Sequence, residues 1–290
     1  MNTPAPQRRR ALRAATVAVL AIAIVGTGVF AAVSSSSSGP VSLLASGQRP
    51  PPIIYRPPGL GFSKPVPLVL ALHGSGGNAQ GMEGQTKLEE LAVQKGFVLV
   101  IPDSATDPPW QDPGDIPYIA GLLASVDKSQ HIDRSRQYVT GFSAGGREAY
   151  AVACRLSRQF AAVAVVSSAL RGSCTTSHPV SELLIYGSTE TSLANGNPAT
   201  GFPSAAQITA HWRQIDRCHS ASPSAAKQVG PVMQTAWTSC AGGSNVSLYI
   251  VQGGSHFWPG QNGATGPDAP GQYSASNAIW AFFAAHPGAP

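Results

Sequence analysis

Residues 141–145 read Gly141-Phe142-Ser143-Ala144-Gly145, behind an apolar run at 137–140 and ahead of a helix-like segment at 146–156. Small residues two positions either side of a serine let the chain bend sharply from strand to helix, so the hydroxyl stands exposed at the tip of the turn. Unaided, a serine hydroxyl is too weakly acidic to attack an ester. It needs a base to take its proton and a carboxylate to orient that base. A chain this rich in Gly, Ser and Ala can produce the pentapeptide by chance, so the argument rests on its partners.

Two partners stand at the ends of other apolar runs. After residues 183–186 comes Gly187-Ser188-Thr189-Glu190, and after 246–251 comes Gly253-Gly254-Ser255-His256. Nucleophile, acid and base thus run Ser143, Glu190, His256, the chain order of an α/β-hydrolase rather than of the chymotrypsin or subtilisin folds. Asp216, on a predicted helix, is the substitute acid. An oxyanion needs two donors, expected from the backbone N–H of Ala144 and one near Ser75 in the run His73-Gly74-Ser75-Gly76-Gly77. His73 reads as a brace for that loop. Trp110 and Trp258 are candidates for an aromatic wall around an acyl or aryl group. The charged pair Arg147-Glu148 belongs either to the cleft rim or to a solvated face. The seven histidines lack ligand spacing and no cofactor motif occurs, so neither a metal nor a cofactor is expected.

These residues have to be held by a frame. Apolar runs at 68–72, 97–101, 137–140, 161–166, 183–186 and 246–251 alternate with helical patterns, at 116–128, 146–156, 205–216 and 275–285 among others. Thr86-Lys87-Leu88-Glu89 has the form of a capping box opening one more helix. Strands apolar throughout predict an α/β fold, a mostly parallel central sheet covered by helices on both faces. Reactive groups in such sheets collect at the carboxyl ends of strands, where all the candidates fall.

The chain of 290 residues suits one enzyme-sized domain, residues 49–290, after a leader. Arg8, Arg9, Arg10 and Arg13 precede an uncharged run to Val33, which reads as a signal peptide or a membrane anchor. Residues 34–48 read as a Ser/Gly-rich linker. Most of the formal charge of +5 sits on those four arginines. The nearly neutral remainder excludes nucleic acid as a partner. A monomer is expected, secreted or anchored at the outer face of the cytoplasmic membrane, with membrane contact only through the leader. Cys154, Cys174, Cys218 and Cys240 are even in number in an exported domain, which favours disulfides. Three connectivities are possible, and pairing nearest neighbours closes two short loops.

Four blocks resemble the secreted esterase family of poly(3-hydroxybutyrate) depolymerases and feruloyl or acetylxylan esterases. They are residues 70–77, 138–146, 160–164 and Gly253-Gly254-Ser255-His256-Phe257-Trp258-Pro259-Gly260. The resemblance covers residue 53 onward, implies a serine hydrolase and supports the nearest-neighbour disulfides. It departs at the acid, where relatives show H-G-x-x-D and this chain has Tyr186-Gly187-Ser188-Thr189-Glu190. The implied substrates are poly- or oligo-hydroxyalkanoate esters, with feruloyl or acetyl esters of plant polysaccharide as the alternative. A catalytically impaired binding protein on the same scaffold is the reading from another class.

Overall fold

The computed structural model describes residues 49–111, 114–219 and 223–288. The expected leader (1–33) and linker (34–48) lie outside the described residues. No described helix is long and apolar enough to cross a membrane.

The chain runs β1 (Ile53–Tyr55), β2 (Val66–Leu72), α1 (Ala79–Thr86), α2 (Leu88–Lys95), β3 (Val98–Ile101), α3 (Asp115–Gln130), β4 (Ile132–Phe142) and α4 (Ala144–Arg155). It continues with β5 (Ala162–Val166), β6 (Ser181–Gly187), α5 (Thr191–Asn195), α6 (Ala205–Ile215), β7 (Lys227–Val229), β8 (Val232–Trp237), β9 (Val246–Val251) and α7 (Ala275–Ala285). Among the described residues one nine-stranded sheet has the order β1-β3-β2-β4-β5-β6-β9-β8-β7. Its centre, from β3 to β9, is parallel, whereas β1 and the β8–β7 ribbon run antiparallel at the two edges.

Period-two alternation divides the core between the faces of the sheet. Leu68, Leu70 and Leu72 of β2 pack with Val139, Val163 and Leu184 beneath α3, α4 and α6. Val69 and Ala71 turn the other way, packing with Leu99, Ala164 and Ile185 beneath α1, α2 and α7. Both faces being covered explains why the central strands carry apolar residues on both sides over residues 68–72, 98–101, 162–166 and 183–186. Each fully buried leucine or valine contributes roughly 1.5–3 kcal/mol relative to exposure. Cys154 is bonded to Cys174 and Cys218 to Cys240, tying the ends of α4 and α6 to loops beyond them.

Two local expectations change. The residues before α2 form a helix of their own, α1, capped by Asn78, whose Oδ1 accepts from the Gly81 N–H at 2.7 Å. Thr86 ends that helix instead of capping the next: its hydroxyl donates to the Met82 carbonyl at 2.7 Å, and α2 starts from Lys87 with no side-chain cap. A threonine hydroxyl in the last turn of a helix back-bonds to the carbonyl four residues earlier more readily than it caps a helix that starts behind an αL residue.

Candidate active site

β4 ends at Phe142 and α4 begins at Ala144, so the reversal rests on Ser143, held at φ 53° and ψ −115°. A non-glycine residue there costs on the order of 1–3 kcal/mol, which the packing around it has to offset. The Ser143 N–H donates to the Val166 carbonyl at 3.0 Å, and its carbonyl accepts from the Arg147 N–H at 3.1 Å. The flanking glycines are required by contact. A Cβ at Gly141 would stand 2.2 Å from the Gly145 carbonyl oxygen, and one at Gly145 would stand 2.1 Å from that of Leu72.

The loops after β6 and β9 are knitted together. Thr189 Oγ1 donates to the Gly254 carbonyl at 2.6 Å, and the Gly253 N–H donates to Ser188 Oγ at 2.8 Å. That seam places Glu190 beside His256. Glu190 Oε2 lies 2.6 Å from His256 Nδ1, and His256 Nε2 lies 3.1 Å from Ser143 Oγ. With the Nδ1–H donating to the carboxylate, Nε2 is left as the acceptor for the serine proton. The other Glu190 oxygen accepts from Ser167 Oγ at 2.7 Å and from the Gly187 N–H at 2.9 Å. The carboxylate is therefore fully engaged while its side chain is only 9% exposed; the imidazole, at 53%, opens to solvent.

Three further residues support this line. Ser167 sits at φ 53° and fixes the carboxylate. The Phe142 ring lies 5.1 Å from the imidazole. Buried Asp268 accepts from the Ser255 N–H at 2.8 Å, anchoring the loop ahead of His256. Burial raises the Asp268 pKa, the Ser255 bonds lower it, and the Glu190 charge raises it further.

At the expected oxyanion site Ala144 opens α4, so its N–H has no helical carbonyl to meet. A Cβ on Gly74 would stand 3.4 Å from Ser143 Cβ, which puts the Gly74–Ser75 link beside the nucleophile. The Gly74 carbonyl is pinned by the Gly77 N–H at 3.1 Å and by His73 Nδ1 at 2.9 Å. In a trans peptide the N–H points opposite to the C=O, so this pinning also fixes the direction of the Ser75 N–H. His73 is buried, its Nε2 accepts from the Ser104 N–H at 3.4 Å, and it lies 3.5 Å from Asp103.

The aromatic wall is not built from the expected tryptophans. Trp258 is 0% exposed and its indole N–H donates to Ser276 Oγ at 3.0 Å, deep under α7. Trp110 is buried as well, donating from Nε1 to the His73 carbonyl at 2.8 Å, and it braces the loop. Half-buried Phe202 is the aromatic that lines a cleft of about 400 Å³ with Ser167, Leu193, Glu190 and His256, while Phe257, next to His256 in the chain, is 37% exposed. Tryptophan was the conspicuous residue of its block, but its neighbour points outward. Asp216 is 0% exposed and accepts from the Val180 N–H at the opposite end of β6, so it has no access to His256. Glu148 is buried under α4, where burial and then Asp115 raise its pKa to about 7, against the neighbouring arginines.

A family model described as "Esterase PHB depolymerase" matches residues 52–212. The probable feruloyl esterase C of Aspergillus clavatus is 28% identical over 230 residues, covering 75% of this chain and 77% of that protein. That of Aspergillus flavus is 31% identical over 143 residues, and the match spans 47% of this chain and about half, 53%, of the relative. An acetyl xylan esterase structure from Aspergillus awamori superposes with a TM-score of 0.62 at 16% identity, over 81% of this chain and 93% of that one, and shares the α/β-hydrolase fold. With more than half of its length matched by the family model, the chain belongs to the Esterase PHB depolymerase family.

Proposed function

We propose that the protein is an exported serine esterase that cleaves carboxylic esters through an acyl-enzyme. The observation that carries this is the unbroken relay from Ser143 Oγ through His256 to Glu190, at 3.1 and 2.6 Å. Ser143 adds to the ester carbonyl as Nε2 takes its proton. The tetrahedral oxyanion is held by the N–H groups of Ala144 and Ser75. His256 then passes the proton to the departing alcohol, and water, deprotonated by the same nitrogen, releases the acid. The family and the curated feruloyl esterases support ester hydrolysis as the chemistry. The two disulfides favour an oxidising compartment outside the cytoplasm. Hydroxyalkanoate esters are the first substrate class, since the cleft is open and bordered by alkyl and phenyl groups. Hydroxycinnamoyl or acetyl esters of polysaccharide are the second, favoured by the relatives' names.

A fluorophosphonate probe tests the chemistry. The wild-type protein is expected to be labelled with 1:1 stoichiometry, and Ser143→Ala to lose both labelling and turnover of a chromogenic short-chain ester. Labelling that survives the substitution removes Ser143 from the mechanism. A hydrogen-bonded relay with no labelling at all would instead favour the binding-protein reading. Hydroxybutyrate oligomers, methyl ferulate and acetylated xylan, compared side by side, separate the substrate classes.

A further inference from the structure

Two guanidinium groups stand on residues next to elements of the site, and ester hydrolysis as described uses neither. Arg147 stands one helical turn beyond Ser143 on α4, half-buried, its Nη2 donating to the Pro109 carbonyl at 3.3 Å. Arg171, exposed in the loop after β5, holds its Cζ 5.8 Å from the centre of the Phe202 ring. Phe202 and His256 line the same cleft. Among the described residues neither arginine forms an ion pair. Glu148 is the nearby acid, but its carboxyl is buried and its pKa is raised to about 7. The two cations sense one another: burial lowers the Arg147 pKa and the charge of Arg171 lowers it again, against the Glu148 charge, which raises it. Glu148 offsets the Arg147 charge only in part, because burial raises its own pKa, and an anion bound beside the two guanidiniums adds the missing counter-charge while gaining charge-assisted hydrogen bonds.

The position in the catalytic cycle follows from the imidazole. His256 has to deliver its proton to the departing oxygen, so the alcohol portion of the substrate lies where the ring opens, and the ring opens into the cleft that Phe202 lines. We propose that the preferred substrates are esters whose alcohol portion carries a carboxylate, clamped by Arg147 and Arg171. A hydroxy-acid oligoester meets this description at its free carboxyl end. Ser143 Oγ bonds to the penultimate acyl carbon, the C–O bond to the terminal unit breaks, and the terminal hydroxy acid leaves with the proton from His256. Water then frees the shortened chain. Cleavage is thus directed to the terminal ester bond, releasing one hydroxy acid per turnover.

This rests on the esterase reading, and its test separates the two. Acetate release by the full-length protein is compared on 3-acetoxybutyrate and on its neutral isostere 3-acetoxybutanamide. The expected wild-type ratio of kcat/KM, carboxylate over amide, is about tenfold or more, the range of a charged hydrogen bond. In Arg171→Gln the ratio is expected to collapse toward one through a higher KM for the carboxylate ester. In Arg171→Glu it is expected to fall below one, and because this side chain is exposed, both variants keep the fold. A wild-type ratio near one, or a ratio unmoved by either substitution, overturns the clamp while leaving the esterase intact. Failure to hydrolyse either ester, together with no fluorophosphonate labelling, overturns the esterase reading and the clamp with it.

Discussion

At the scale of single residues, the acid of the relay is the informative position. Glutamate reaches one methylene further than the aspartate of the resembling family, and here that reach is absorbed: Ser167 Oγ and the Gly187 N–H hold one oxygen while the other meets His256 at 2.6 Å. Glu190→Gln keeps the volume but removes the charge that stabilises the imidazolium, and is expected to lower kcat about a thousandfold or more. Glu190→Asp keeps the charge but withdraws it by about 1.5 Å, the length of one C–C bond. Displacement on that scale can cost about a hundredfold, so the expected order of kcat on a chromogenic ester is wild type, then Asp, then Gln. Asp216→Asn in parallel is the control, since its carboxyl lies at the far end of β6. Activity that survives Glu190→Gln and disappears with Asp216→Asn would contradict the relay. Ser143, Glu190 and His256 were legible because each follows an apolar run in a fixed order. Ser167 was not, because nothing in Ser167-Ser168-Ala169 distinguishes a serine that orients a carboxylate from an ordinary loop serine.

At the scale of elements, the loop after β2 has to hold one peptide in one orientation. His73 clamps the Gly74 carbonyl, and Trp110 clamps the His73 carbonyl in turn. Replacing His73 with Ala frees the Gly74–Ser75 peptide to rotate and, on the proposed mechanism, deprives the oxyanion of a fixed donor. The expected outcome is a fall in kcat of roughly a hundredfold with little change in KM, the range for loss of one oxyanion donor. Slower but complete fluorophosphonate labelling, with a melting curve that remains cooperative, would distinguish this from unfolding; unchanged kcat would show that the loop holds without the imidazole. The same scale explains what the sequence concealed. Strands β2 to β6 are covered on both faces and announce themselves as apolar runs. The β7–β8 ribbon closes an edge, with β7 wholly exposed and Met233 to Ala236 of β8 only half-buried, so its signal is weak. Helix α1 carries Gly81 and Gly84, poor helix formers, and is held by its Asn78 cap and by buried Met82.

At the scale of the whole molecule, buried carboxyls set how stability responds to pH. Glu182 lies fully buried in β6 with Tyr150 Oη donating to it at 2.7 Å; burial first, then the neighbouring Asp216, raises its pKa from 4.5 to about 8 despite that bond. Burial likewise raises Asp216 from 3.8 to about 7, against hydrogen bonds from Ser244 and the Val180 N–H. Glu148 moves in the same direction, to about 7. In each case the folded chain keeps a proton that the unfolded chain releases above pH 4–5, so stability is present at the acidic side and is lost as pH rises toward 7–8. His286 opposes this, because burial lowers its pKa from 6.5 and favours the fold as pH rises. The buried carboxyls outweigh this one histidine and predict a Tm that falls between pH 5 and pH 8. Glu182→Gln preserves the acceptor for Tyr150 and carries no charge. It is therefore expected to match the wild type near pH 5 and to exceed it at pH 8, measured by calorimetry across the window. A parallel decline of both proteins would mean that Glu182 does not hold its proton in the fold, and that the slope originates in Asp216 and Glu148.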